Sequence, residues 1–210
     1  MDLSDEALIE KFKTTKDMSY FKSLVRRYQT RIYSTAVRIL GNTEEAEEVV
    51  QDVFVRVHQN IDKFRNQASF SAWIFRIVHN QCVDSIRNKR RKRGFSLLSF
   101  DPQSTPSDHD ESLESNPVIL QLADPTPGPE QKFDMSEQEH MIASSLRLLP
   151  ESQREVLVLH DMEGFSYQEI SDIVGASIGT VRSRLHYGRL KLRELLEPYF
   201  SSRNMSPSPR

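Results

Sequence analysis

FSYQEISDIVGASIGTVRSRLHYGRLKL, residues 165–192, decides how the rest of the chain is read. Ser166 and Glu169 have the S-x-x-E spacing of a capping box, in which each side chain answers a free backbone N–H at a helix start. Phe165 and Ile170 flank the cap at the spacing of a hydrophobic staple. Ile170, Ile173 and Val174 then form one apolar face at helical period. Gly175 ends that helix, because glycine takes the left-handed turn of a C-terminal cap without strain. Ser177 caps the next helix. There, Val181, Leu185, Gly188 and Leu192 share the inner side, and Arg182, Ser183, His186, Arg189 and Arg193 the outer. Two short helices joined through a glycine turn are the helix-turn-helix pattern, whose second helix enters the major groove of DNA. Arginine near its start pairs with guanine edges or with phosphates. A capped helical hairpin with a charged outer face also occurs as plain solvated surface.

A chain of 210 residues makes one or two domains. With 37% hydrophobic and 28% charged residues it has an ordinary soluble composition. The net charge of −2 hides a strong asymmetry. Residues 1–94 hold 18 Lys and Arg against 12 Asp and Glu, whereas residues 101–131 hold seven acids and no base. The basic character therefore sits in a folded-looking half. The single cysteine, Cys82, rules out an internal disulfide and fits a reducing cytoplasm. MDLSDEALIEKF carries no basic-then-apolar signal pattern. No apolar run approaches the roughly 20 residues that span a bilayer. An intracellular, cytoplasmic protein is expected.

Helical periodicity marks residues 4–14, then 18–40 through Phe21, Leu24, Val25, Tyr28, Ile32, Ala36 and Ile39. Gly41-Asn42 breaks that stripe, and Asn42 with Glu45 caps a helix over 44–61. Four glutamates crowd its first turns, where the helix dipole favours negative charge. A polar loop, KFRNQAS, leads to a fourth helix with Phe70, Trp73, Ile74, Ile77 and Val78 inward. Six of the ten prolines then fall between 102 and 129 among serines and acids. Such a stretch buries too little apolar surface to offset chain entropy, which makes it a linker. The apolar patch at 118–122 inside it reads equally as a docking segment or as incidental. Helical pattern returns after Met135 and continues through Pro150 to the helix-turn-helix. The expected architecture is all-α: two small helical domains, 1–94 and 135–200, joined by a flexible acidic linker over 95–134, with a disordered tail over 201–210.

No phosphate-cradling glycine loop, H-E-x-x-H or G-x-S-x-G is present, and no catalytic constellation emerges. His79 and Cys82 stand one turn apart but lack a second ligand pair, so no metal and no cofactor are expected. Arg87, Lys89, Arg90, Arg91, Lys92 and Arg93 read either as a cationic helix end favoured by the dipole or as a phosphate clamp. The density of the run favours the clamp. Phe64, Phe70, Trp73 and Phe75 lie among Arg65, Asn66, Arg76 and Asn80. Most of these rings suit a core, yet aromatics beside amides and arginines also hold unstacked single-stranded bases.

Together these residues resemble a bacterial sigma factor of the extracytoplasmic function (ECF) group. The stretch from RIYSTAVRIL to SIRNKRR is similar to the family's region two, and LLPESQREVLVLH to LKLREL to its region four. F-x-x-W-x-x-R-I-x-x-N at 70–80 and GTVRSRL at 179–185 are the specific motifs. The resemblance implies a non-enzymatic subunit that binds core RNA polymerase through its largest and second-largest subunits and recognises promoter DNA, double- and single-stranded. It implies initiation at stress or envelope-related genes, an anti-sigma partner, and a monomer when free. Glu48, Gln51, Asp52 and Phe54 would dock on polymerase. Phe64, Arg65, Asn66, Phe70, Trp73, Arg76 and Asn80 would face the melted downstream element, with Arg87, Lys89, Arg90 and Arg91 on phosphates. Gly179, Thr180, Arg182, Ser183, Arg184, His186 and Tyr187 would face the upstream element. Ser177, Tyr187-Gly188 and RNQAS at 65–69 depart from the common proline, Arg-Ala and R-G-D-S forms. The alternative is a stand-alone helix-turn-helix regulator, binding paired half-sites as a dimer.

Overall fold

The computed structural model describes residues 3–65, 69–98 and 137–203, and every regular element among them is helical. Helix α1 (Asp5–Thr15) leads into α2 (Met18–Leu40), α3 (Thr43–Asn60) and α4 (Phe70–Leu98). The second unit holds α5 (Glu137–Arg147), α6 (Glu151–Leu157), α7 (Tyr167–Val174) and α8 (Ile178–Arg203). Two expected boundaries shift. Helix α4 runs four residues into the linker expected from 95, and α8 carries helix to Arg203 where a tail was expected from 201. The rest of the linker, the patch at 118–122 and Asn66 lie outside the described residues.

The first unit forms because its caps and stripes agree. Ser4, Asp17 and Asn42 accept backbone N–H bonds at the starts of α1, α2 and α3. Gly41 closes α2 in the left-handed region at φ 72°. The stripe on α2 is buried throughout, with Ile32 and Ala36 at 0% exposure. It packs on Ala46, Val49, Val50, Val53 and Val57 of α3 and on Phe70, Ile74 and Val78 of α4. Each large apolar side chain so buried contributes about 1.5–3 kcal/mol.

In the second unit, the helix expected over 151–162 widens halfway. After α6, residues Val158–Met162 form a π turn, and the Glu163 N–H donates to the Val158 carbonyl at 3.1 Å. Gly164 then reverses the chain at φ 77°, and Phe165 turns inward beside Ile170 and Ile173. The capping box of Ser166 and Glu169 is fully formed. Helix α8 packs closely on α6 at Gly188, where a Cβ would stand 3.4 Å from Gln153 and 3.6 Å from Leu157.

The two helical domains expected from the sequence are present, and α2 and α4 also pack directly against the second unit, so that one apolar core runs from Leu8 to Leu185. Phe75 of α4 meets Phe165 with ring centroids 5.0 Å apart. Helix α4 is therefore apolar on two sides, one for each unit.

Candidate nucleic-acid interface

The outer face of α8 begins at a capped end. The Ser177 hydroxyl oxygen accepts from the Thr180 N–H at 3.2 Å and lies 2.9 Å from the Thr180 hydroxyl. Val181, Leu185 and Gly188 face inward. Gly179, Arg182, Ser183, His186 and Tyr187 are exposed, while Thr180 and Arg184 are half-buried. Ser183 donates its hydroxyl to the Thr180 carbonyl at 3.0 Å. The Arg182 guanidinium stands 5.8 Å from the centre of the Tyr167 ring, so α7 pre-positions it. Tyr187 remains 57% exposed, an aromatic surface beside His186. Arg189 shares the outer face but is engaged: its Nε donates to Asp161 Oδ2 at 3.0 Å. That hydrogen bond holds the Asp161 carboxyl below the usual carboxylate range.

The aromatic group of the first unit divides. Phe64 and Phe70 are buried, edge to face at 5.5 Å, with Trp73 half-buried over both. Arg65, Arg76 and Asn80 are exposed. The two phenylalanines expected to touch a melted strand are thus core residues that support Trp73. A similar correction applies on α3, where Glu48, Gln51 and Asp52 are exposed but Phe54 turns into the core at 8% exposure. Spacing of 3.6 residues per turn carries Phe54 onto the stripe of Val50 and Val57.

The basic run is also partly engaged. Lys89 pairs with Glu45, Arg91 donates to Asn88 at 2.6 Å, and Arg90 reaches across the units to Glu151 at 2.8 Å. Arg87 lies 3.9 Å from Asp84 and is 72% exposed on its side chain.

Several residues between the units escaped the sequence reading. Arg31 Nε donates to Glu163 Oε2 at 2.5 Å and its Nη2 to the Glu163 carbonyl at 3.0 Å. Thr35 donates to the other Glu163 carboxylate oxygen at 2.6 Å. The same guanidinium lies over the rings of Phe75, at 4.7 Å, and Phe165, at 5.4 Å. His79 pairs with Glu155 alongside. These partners stand 76 to 132 positions apart, beyond any local motif. Among the described residues, no group of three or more His, Cys, Asp or Glu is placed to hold a metal ion. No helix there is long and apolar enough to cross a membrane.

A helical bundle followed by a helix-turn-helix with an exposed, arginine-bearing second helix is the architecture of a DNA-binding protein. Residues 24–92 match the Sigma-70 region 2 family and residues 139–192 match Sigma-70, region 4. The chain is 33% identical over 193 residues to the ECF RNA polymerase sigma factor SigE of Mycolicibacterium smegmatis, covering 90% of this chain and 68% of that protein. It is 32% identical over 180 residues to the ECF RNA polymerase sigma factor SigW of Bacillus subtilis, covering 86% and 90%. Among solved structures, it is similar to CnrH in complex with the cytosolic domain of CnrY, with TM-score 0.60, 25% identity and 92% and 97% coverage. The sigma factor RpoE of Bartonella quintana, in complex with the anti-sigma factor NepR, shares the fold at TM-score 0.63, 23% identity and 84% and 96% coverage. The chain belongs to the ECF sigma factors of the sigma-70 family.

Proposed function

We propose that this sigma factor works in the cytoplasm as the promoter-specificity subunit of RNA polymerase, without an active site of its own, and directs initiation at stress or envelope-related genes. The observation that carries the reading is the match to region 2 and then region 4 in one chain, with the α8 face of the second exposed. Arg182, Ser183, His186 and Tyr187, with Gly179, Thr180 and Arg184 at the rim, read the upstream element. Arg65, Trp73, Arg76 and Asn80 hold the melted strand of the downstream element, on a floor made by Phe64 and Phe70. Arg87, Arg90 and Arg91 are exposed for phosphates, while Lys89 is half-buried against Glu45. Glu48 and Asp52, with the Gln51 amide between them, form an exposed polar stripe on α3 for the largest polymerase subunit. The first unit constitutes a region 2 domain and the second a region 4 domain. An anti-sigma factor, the partner class held by RpoE in the Bartonella complex, is the proposed regulator.

Run-off transcription with purified core polymerase on a genomic library tests the reading and yields the promoter sequence. Specific transcripts dependent on this chain are expected, with weak or no specific gel shift by the chain alone. Tight, specific promoter binding without polymerase would favour a stand-alone regulator instead.

A further inference from the structure

Three arginines converge on one cleft between the two units. Arg90 comes from α4, Arg147 from the end of α5 and Arg154 from α6, and the cleft between them has a volume of about 460 Å³. It is an open, mostly polar groove, suited to a solvated anion rather than to an enclosed apolar ligand. Ser152 and Leu149 line it too, and Glu151 is the one carboxylate among the lining residues. The three guanidinium groups are unequal. Arg90 is spread over the surface, its side chain 70% exposed, and meets Glu151 at 2.8 Å. Arg147 is laid across Gly41, where any Cβ would come within 2.7 Å of its Cδ, and makes no ion pair among the described residues. Arg154 is 7% exposed. Its Nη1 donates to the Arg147 carbonyl at 3.3 Å, while its Nε is buried with no hydrogen-bond partner among the described residues.

A buried guanidinium with an unused donor is costly unless an acceptor meets it. Glu151 and Glu155 lie near enough to act on the Arg154 charge, but Glu155 is engaged with His79 and neither gives the Nε an acceptor. The cleft thus gathers more positive charge than its single carboxylate balances, with donors from three elements. Guanidinium forks match phosphate oxygens in pairs of parallel hydrogen bonds.

We propose that this cleft is a binding site for a small oligophosphate anion, of the pyrophosphate or nucleoside polyphosphate class, that bridges the two units. Because Arg90 belongs to one unit and Arg147 and Arg154 to the other, the bound anion ties the units in their packed arrangement. The site stands apart from the α8 face and does not rest on how promoter DNA is read.

The test uses the full chain and inorganic pyrophosphate, followed by calorimetry and by the shift in Tm, against chloride at matched ionic strength. Saturable one-to-one binding that raises Tm is expected, weakened about tenfold or more in both Arg147→Gln and Arg90→Gln. Each is a surface substitution that leaves the core intact. Lys22→Gln, near the opposite end of α2, should bind as the wild type does. Absence of saturable binding would overturn the proposal, as would binding that survives both substitutions. Loss in Arg147→Gln with full binding in Arg90→Gln would refute the bridging role. Displacement of pyrophosphate by a short single-stranded oligonucleotide at equal phosphate concentration would assign the cleft to a nucleic acid backbone and overturn the small-anion assignment.

Discussion

Replacing Arg31 by alanine should loosen the packing of the two units more than any other single surface-accessible change. The Glu163 side chain is 5% exposed, and Arg31, at 37%, is its only cationic partner in the ion pairs described. Breaking a buried pair from one side costs about 3–5 kcal/mol, because a charge is left in a poorly solvated place. The partial exposure of Arg31 lowers that to about 2–3 kcal/mol, since water enters when the guanidinium leaves. The lost contact with the Phe75 and Phe165 rings adds about 0.5–1 kcal/mol. Glu163→Gln is milder, about 1–2 kcal/mol, because the amide oxygen still accepts from Thr35 and Arg31 can turn toward water. The double variant should then lose less than the sum of the two, with a coupling of about 1–2 kcal/mol. Urea denaturation of the four proteins followed by Trp73 fluorescence measures the cycle, and small-angle scattering reports whether Arg31→Ala is more extended. Additive losses, with coupling inside about 0.5 kcal/mol, and an unchanged radius of gyration would refute the view that this cluster holds the units together.

Arg182→Ala should weaken promoter-dependent transcription by about 1–3 kcal/mol in apparent promoter affinity if the arginine pairs with a base; wild-type output in run-off assays would remove it from the interface. Gly188→Ala should be tolerated or raise Tm, since its Cβ meets neighbours at ordinary contact distance and alanine gains up to about 1 kcal/mol of helix propensity. Gly188→Leu should instead wedge α6 and α8 apart and lower Tm in the same melting experiment. Asp161, its carboxyl lowered by Arg189, lends stability that is complete above the ordinary carboxylate range and is lost as pH falls through its folded-state value. The wild type should therefore exceed Asp161→Asn by up to about 1 kcal/mol at neutral pH and match it in strong acid, as pH-dependent denaturation will show. Cys82 is fully buried and burial pushes its thiol upward, so maleimide should label it only when the chain unfolds; fast labelling of native protein would contradict the packing of α4.

Most of the helices could be read locally. A cap, its partner three residues on and an apolar residue every third or fourth position all lie within one or two turns. The expected boundaries of α2, α3 and α7 accordingly fall within a residue or two of those observed. The π turn was not legible, because one extra residue in a turn leaves composition and period almost unchanged. Phe75, fully buried, stands off the inward stripe of Phe70, Trp73, Ile74, Ile77 and Val78, since a helix buried on two sides blurs its own period. Which of the arginines on α8 is free was equally hidden: Arg182 and Arg189 share a face, but only the chain reversal at Gly164 brings Asp161 to Arg189.

By itself the amino-acid order determined an all-helical chain with a helix-turn-helix near its end and an acidic stretch between two apolar-patterned halves. Those properties follow from backbone capping, helical period and composition, which act over a few neighbouring residues. Only the tertiary structure decided that the halves share one core and that Arg31 meets Glu163. It alone placed Arg90, Arg147 and Arg154 around one cleft. Contacts between residues 132 positions apart depend on how whole helices stack, a balance of buried area and charge pairing that no local spacing encodes.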